Sequence, residues 1–483
     1  MDSQYLKSYK PVVVAETGLN GGRQGQNLIT SARHSLFPIV PYGLRISGKT
    51  RYRMEYNVYE DPSNIHAYNV LRYLPFYSNG GDRFAICSAV LDETQADLLA
   101  RDPAWVGCGQ LNTGISAGVG SLIVDMEGDD IVFIPGGKVV IHNRFKTGQD
   151  FEDGSTAGKA KVRIGDSCQY NSGTSKWEKI SATTDITYPK GIRISDTVCH
   201  TEETGSWSKE FLDLKSGKTE AEVIGTGNGS SATPTLTDLA AITNGLFVAD
   251  GFKPTITTLC GAVERTVYIE ADGTCSGYCT AGEINLATGV WVTDITWLTA
   301  PDNTEDIEIT YYDKPYVNTG SQYTITFDPG STPQNDYLAG NTYISGCVEE
   351  VEEIQPSYDG FTVTSSAGTY NDTTNPIEIQ SAGAERDRIT MTFTSATNFT
   401  ATGLYSGALG AGNVGEDFTI TNTAKGYTML IMRAAGFGGT FAPGDTIVFE
   451  MYTASDPIWW REIIPMATPA QPENFYSLGF YGE

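Results

Sequence analysis

The chain is 483 residues long, enough for about three domains. Its 58 acidic and 32 basic residues leave a net charge of -26 and a pI near 4.5, which repels phosphate backbones and excludes nucleic-acid binding as the main role. With 40% hydrophobic and 11% aromatic residues it can build cores, which excludes wholesale disorder, while 53 glycines and threonine at about one residue in nine point to strands and tight turns.

Met1 to Lys7 is polar and has neither the basic start nor the apolar block of a secretory signal. The longest apolar runs, such as Ile131 to Ile134 and Met429 to Met432, fall far short of the ~18 residues that cross a bilayer, so a soluble chain with no membrane partner is expected. Residues 1–120 are read as a mixed α+β region. Val12 to Val14, Leu44 to Ile46 and the alternating Arg51 to Tyr59 are its expected strands. Two short helices are expected. One opens at Asp61-Pro62, carries Ile65, Tyr68, Leu71 and Leu74, and stops at Pro75; the other runs from Glu93 to about Arg101.

Residues 121–215 read as a β meander, with strands at Ser121 to Met126, Ile131 to Pro135, Lys138 to Asn143, Lys161 to Ile164, Trp177 to Ile180 and Gly191 to Ile194. Residues 216–240, which hold Gly225-Thr226-Gly227-Asn228-Gly229-Ser230-Ser231, read as a linker. Residues 241–315 read as an immunoglobulin-like β-sandwich, 316–357 as a connector, 358–460 as a second sandwich and 461–483 as an arm. The expected fold class is therefore mainly β and multi-domain, with antiparallel sandwich modules, a mixed N-terminal region and extended terminal arms.

No candidate chemistry outweighs an ordinary structural role. Gly114-Ile115-Ser116-Ala117-Gly118 matches a nucleophile elbow, but Val119-Gly120 starts no helix after it, so a glycine-rich loop is expected. Histidines occur only at 34, 66, 142 and 200, leaving few imidazole bases. Glu127 to Asp130 and Asp302 to Asp306 are oxygen-rich turns without the pattern of a calcium loop. The run Gly403 to Gly415 lacks the Lys-Ser or Lys-Thr of a phosphate cradle. Cysteines stand at 87, 108, 168, 199, 260, 275, 279 and 347. Most are expected as buried free thiols; Cys260, Cys275 and Cys279 allow a hairpin disulfide more readily than zinc. No catalytic, cofactor-binding or metal-binding residues are assigned.

Trp459-Trp460, among Ile458, Ile463 and Ile464, suits core or interface packing better than a sugar platform. The last residues, with Phe475, Tyr476, Phe480 and Tyr481, are apolar and aromatic. These six aromatic residues are the expected inter-subunit contacts, the alternative being an arm folded back on its own chain.

The phrase Gly282-Glu283-Ile284-Asn285-Leu286-Ala287-Thr288-Gly289-Val290-Trp291, with Pro301 and the closing Tyr311-Tyr312, resembles a β-sandwich segment of tailed-bacteriophage virion proteins. Gly444 to Phe449 followed by Asp456-Pro457-Ile458-Trp459-Trp460-Arg461 is similar to the end of such structural proteins. The resemblance implies a non-enzymatic subunit of the tail, neck or baseplate, assembled in the host cytoplasm from copies of itself and other virion proteins. A head decoration protein is its closest variant. A carbohydrate- or receptor-binding protein, with a host-surface glycan as partner, is the alternative of another class, and a carboxylate glycosidase is a third. The lack of a long helix argues against a major capsid shell subunit.

Overall fold

The computed structural model describes residues 5–29, 36–75, 81–128, 130–142, 209–240, 242–339, 342–350, 352–468 and 478–481, with the backbone of six short strands between 150 and 201. Strands hold 52% of the residues and helices 4%, in several antiparallel sheets. The mainly β, multi-domain class expected from composition is the one observed.

The central body is a branched sheet of 14 strands. Its spine runs Lys209–Asp213, Lys138–His142, Tyr343–Glu350, Val106–Leu111, Arg83–Ser88, Ser455–Ile464, Lys49–Tyr59, Leu6–Val13 and Gly21–Leu28. Two remote segments meet at its middle, where Lys49–Tyr59 pairs with Ser455–Ile464 from Lys49↔Ile464 to Val58↔Ser455. Both strands are buried on both faces over most of their length. They therefore read as near-continuous apolar or paired-charge runs instead of clean alternation. The main core gathers Met54, Val124, Phe133, Val139, Ile141, Tyr323, Ile344 and Trp459, each such side chain contributing about 1.5–3 kcal/mol by burial.

Three stretches leave this body and return to it. His142 pairs with Lys209, Lys218 with Tyr312 and Ser357 with Tyr452, so each excursion departs and comes back on directly opposed residues. The first, 143–208, contains three hairpins. The second has a five-stranded sheet in the order Lys218–Thr226, Asp306–Tyr312, Thr255–Cys260, Val263–Ile269 and Cys275–Gly277, with the hairpin Cys279–Asn285/Val290–Trp297. Ile256, Val267, Ile295, Trp297 and Ile307 fill its core. In the third, the sheet Ser357–Thr364, Thr446–Tyr452, Asp387–Phe393, Asn398–Gly403 and Gly407–Asn413 shares a core with the smaller sheet Glu378–Ile379, Tyr427–Met432 and Phe418–Asn422. Phe393 and Phe441 stack there at 3.7 Å.

Several expectations change. Residues 218–226, read as part of a linker, form a strand of the second excursion, because Ile224 is buried while Val223 faces out and the segment pairs with the strand Asp306–Tyr312. The connector 316–357 supplies three strands to the body. The second sandwich ends near Tyr452, since Ser455–Ile464 belongs to the body. Leu44 to Ile46 lies in a short helix, Tyr42–Ser47, that buries none of its residues. The helix expected after Asp61 is absent: Asp61 opens a turn, and Val70–Tyr73 is a strand with all four residues buried. Two-sided burial satisfies the same apolar spacing there, leaving Ile65 and Tyr68 exposed. Ile131 to Ile134 joins no ladder, though Ile131 and Phe133 are buried, and residues 162–164 of another expected strand lie outside the described residues. The second helix forms as Gln95–Ala100, where Thr94 Oγ1 accepts from Asp97 N and the Asp97 carboxylate accepts from Thr94 N at 3.1 Å.

Candidate functional site

Trp459 and Trp460 are 0% and 1% exposed, which removes them as inter-subunit contacts and as a sugar platform. They lie on opposite faces of the central strand, as successive strand residues must. Trp459 Nε1 donates to Glu93 Oε2 at 2.8 Å, and Trp460 Nε1 to Glu55 Oε2 at 2.7 Å. Phe475 and Tyr476 lie outside the described residues. Phe480 and Tyr481 fold back on their own chain: Gly479–Tyr481 pairs with Val70–Tyr73 as Gly479↔Tyr73, Phe480↔Arg72 and Tyr481↔Leu71. The first strand, Leu6–Val13, is no free arm either, since it lies between Gly21–Leu28 and Lys49–Tyr59.

The residues weighed for catalysis are occupied structurally. The Ser116 loop is tied down by the Ile115↔Tyr337 bridge and by Ala117 N donating to Asp336 at 2.9 Å, with no helix following. His142 is buried against the rings of Tyr73 and Tyr343 at 6.3 and 5.9 Å. His66 pairs with Glu353, which also accepts from the Tyr68 hydroxyl at 2.5 Å. His34 and the side chain of His200 lie outside the described residues. Asp302 caps a turn, accepting from Gly261 N and Ala262 N at 2.7 and 2.6 Å. Cys87, Cys108, Cys260 and Cys347 are buried free thiols, and Cys275 and Cys279 are half-buried free thiols; burial pushes Cys275 up to about 12. Among the described residues no three His, Cys, Asp or Glu side chains form a metal-sized group, and no helix is long and apolar enough to cross a membrane.

Charge is instead invested inside the body, along the central strand pair. Arg51 Nε donates to Glu462 Oε2 at 2.5 Å, and Arg72 Nη2 pairs with Asp456 Oδ2 at 2.6 Å. Burial pushes the Glu462 carboxyl up to about 7 and Asp456 up to about 6, with the arginines opposing. Glu127 stands beside Arg83 in the adjoining turn, and burial pushes it up to about 8. These groups tie neighbouring strands together.

The body exposes apolar residues at several places, Leu19, Ile65, Val90, Leu99 and Leu338 among them, and one group lies at one end of the sheet. Tyr42 is 79% and Met466 74% exposed, joined by Ile39, Ile46, Val12, Val13 and Val14. The strand register gathers them: Lys49 pairs with Ile464, and a Cβ at Gly48 would stand 3.1 Å from Met466 N. On the other flank Arg53 Nη1 donates to Ala15 O at 3.1 Å, and Lys49 Nζ meets Glu16 at 3.1 Å. Glu16 also pairs with Arg53. Burial works to raise Glu16, but the hydrogen bonds from Arg53 and Lys49 outweigh it and hold the carboxyl below its usual range. Glu16 thus answers both cations at this end, leaving one positive charge beside an apolar rim of the kind that marks interaction surfaces. Sequence reasoning missed this surface because its parts are scattered over 12–16, 39–49 and 464–466, with no local pattern to join them.

Compared with family models, with curated proteins and with solved structures, the chain has no match.

Proposed function

We propose that the chain is a structural subunit of a tailed-bacteriophage particle, of the tail, neck or baseplate, that associates through the apolar end of its body and carries its β modules outward. The observation that carries this reading is the rim of Tyr42, Ile46, Val12 to Val14 and Met466, exposed at one end of the sheet. Two supporting features are the modular β construction and the short sequence resemblances around 282–312 and 444–461. A head decoration role shares the same surface argument and differs only in position. A glycan-binding role loses its best support, since Trp459 and Trp460 are inside the fold.

A charge of -26 makes copies repel one another, so association through an apolar rim should strengthen as salt screens that repulsion. Sedimentation velocity on the full chain at rising concentration and at 0.05 and 0.5 M salt (about these values, bracketing the Debye range) tests this. Self-association favoured by salt is expected, weakened at least about tenfold by Tyr42→Glu with Ile46→Glu, each charge opposing burial of the rim. Equal sedimentation of variant and wild type at every concentration would overturn the assembly reading. Cryo-electron microscopy of an intact particle would then separate tail, neck and baseplate from decoration.

A further inference from the structure

We propose that the outer edge of Val70–Tyr73 is an acceptor for the Gly479–Tyr481 strand of a second copy of this chain, and that the pairing within one chain is the same contact closed on itself. This rests on the assembly reading just given, and it names the partner and the groove.

The groove is shaped for this segment. The ring of Tyr73 fills the space where a Cβ at position 479 would stand, so only glycine fits there. Phe480 packs against the cluster of Tyr59, Ala67, Val70 and Ile354. The Tyr481 ring lies 4.9 Å from that of Phe211. Arg72, wholly buried at the middle of the acceptor strand, is anchored to Asp456 on the other side, so the acceptor does not depend on the incoming strand for its own form.

The hold within one chain is small. Three residue pairs make the ladder, and Tyr481 remains 40% exposed. Beside Tyr481 a cleft of about 390 Å³ opens among Asn69, Leu71, Lys138, Phe211 and Glu350, so the groove extends beyond what the docked strand fills. A strand with few buried contacts opens at low cost. A copy of the same strand from a neighbour restores every contact, so exchange is nearly neutral in energy and is decided by concentration. Nine residues separate Thr468 from Leu478, ten steps with a reach of up to roughly 33 Å when extended. A tether of that length gives an effective concentration of about 1 mM. Isolated chains therefore close on themselves, and closely packed copies exchange.

The test places the photoreactive analogue p-benzoylphenylalanine at position 481, already half in solvent, in an equal mixture of ¹⁴N and ¹⁵N full-length chains. Irradiation at about 1 µM is expected to link each strand to its own isotope, and at about 1 mM, equal to the tether concentration, the mixed-isotope links should rise to about a quarter of the total, since about half of the pairings are then between chains and half of those are mixed. Gly479→Val, whose side chain meets the Tyr73 ring, should abolish both kinds of link. Same-isotope links alone at both concentrations would overturn the proposal. Sedimentation of the same mixtures keeps the two readings apart, because associated chains carrying only same-isotope links defeat exchange and leave assembly standing.

Discussion

Glu127 shows how a single buried carboxyl sets a pH limit on this body. Its folded value of about 8 lies above its ordinary 4.5 because burial disfavours the ionised form more than Arg83 favours it. The folded state therefore binds the proton more tightly than the unfolded chain. Its contribution is complete below about pH 4.5 and is lost as pH rises through about 8. Glu127→Gln removes the titration while keeping the shape. Urea unfolding at pH 5, 7 and 9 should show wild type losing on the order of 3–5 kcal/mol relative to the variant across that range. Parallel curves would show that the carboxyl ionises freely. Nothing local in Glu127 to Asp130 reveals this environment, since the turn reads as solvated; Arg83 and the covering core come from other strands. Trp459 and Trp460, by contrast, are legible as packing residues from their isoleucine neighbours. Their placement inside one chain instead of between two is set by a partner strand some 400 positions away, Lys49–Tyr59.

Among the elements, the third excursion is held to the body by a polar seam. Lys425 Nζ meets Glu60 Oε1 at 2.6 Å and donates to Ala384 O at 3.0 Å. Arg386 joins Asp92 at 2.7 Å, and Arg23 lies over the Tyr405 ring at 3.2 Å. Burial works to raise Glu60, but Lys425, Lys7 and the Tyr9 hydroxyl outweigh it and hold the carboxyl below its usual range. The seam is therefore intact above the ordinary carboxyl range and is lost as pH falls through the folded value of Glu60. Lys425→Met should weaken docking by about 2 kcal/mol, less than for a wholly orphaned buried charge because Lys7 remains. Calorimetry is expected to resolve separate transitions for the sandwich and the body in Lys425→Met with Arg386→Met; coincident transitions would show the seam contributes little. Strands such as Asp387–Phe393 and Thr446–Tyr452 are legible from the sequence because one face is buried and the other is not. Val70–Tyr73 is misread as helix because burial on both faces erases alternation.

At the scale of the whole molecule, linear division into consecutive domains fails because the body is nested. Its described strands come from 6–142, 209–213, 316–350 and 455–481, interrupted by three excursions whose first and last residues face each other. Periodicity reports which strands exist, and pairing between segments hundreds of residues apart carries no local mark. Excising 357–452 and rejoining the flanks through a short glycine turn should leave the body folded, because Ser357 and Tyr452 are directly opposed and the core of that stretch is made only of its own residues. Retained cooperative unfolding of the shortened chain is the expected result, and loss of near-ultraviolet circular dichroism would count against it.

The order of synthesis gives the nested body a further consequence. Strand Ser455–Ile464 is the one that lies between Lys49–Tyr59 and Arg83–Ser88. A ribosome must therefore release almost the entire chain before the sheet can close, while 218–312 and 357–452 hold all their own strands much earlier and can fold as they emerge. Until then the first 142 residues carry open strand edges that are competent to pair with the wrong neighbour. A nascent chain arrested before residue 455 should contain protease-resistant modules attached to a cleavable beginning, and resistance should spread to residues 49–88 in one step once the last central strand is free. On the assembly proposed above, the chain would then become competent to associate only when its synthesis is nearly complete, since the apolar rim needs Met466, brought beside the helix Tyr42–Ser47 by the strand that ends at Ile464.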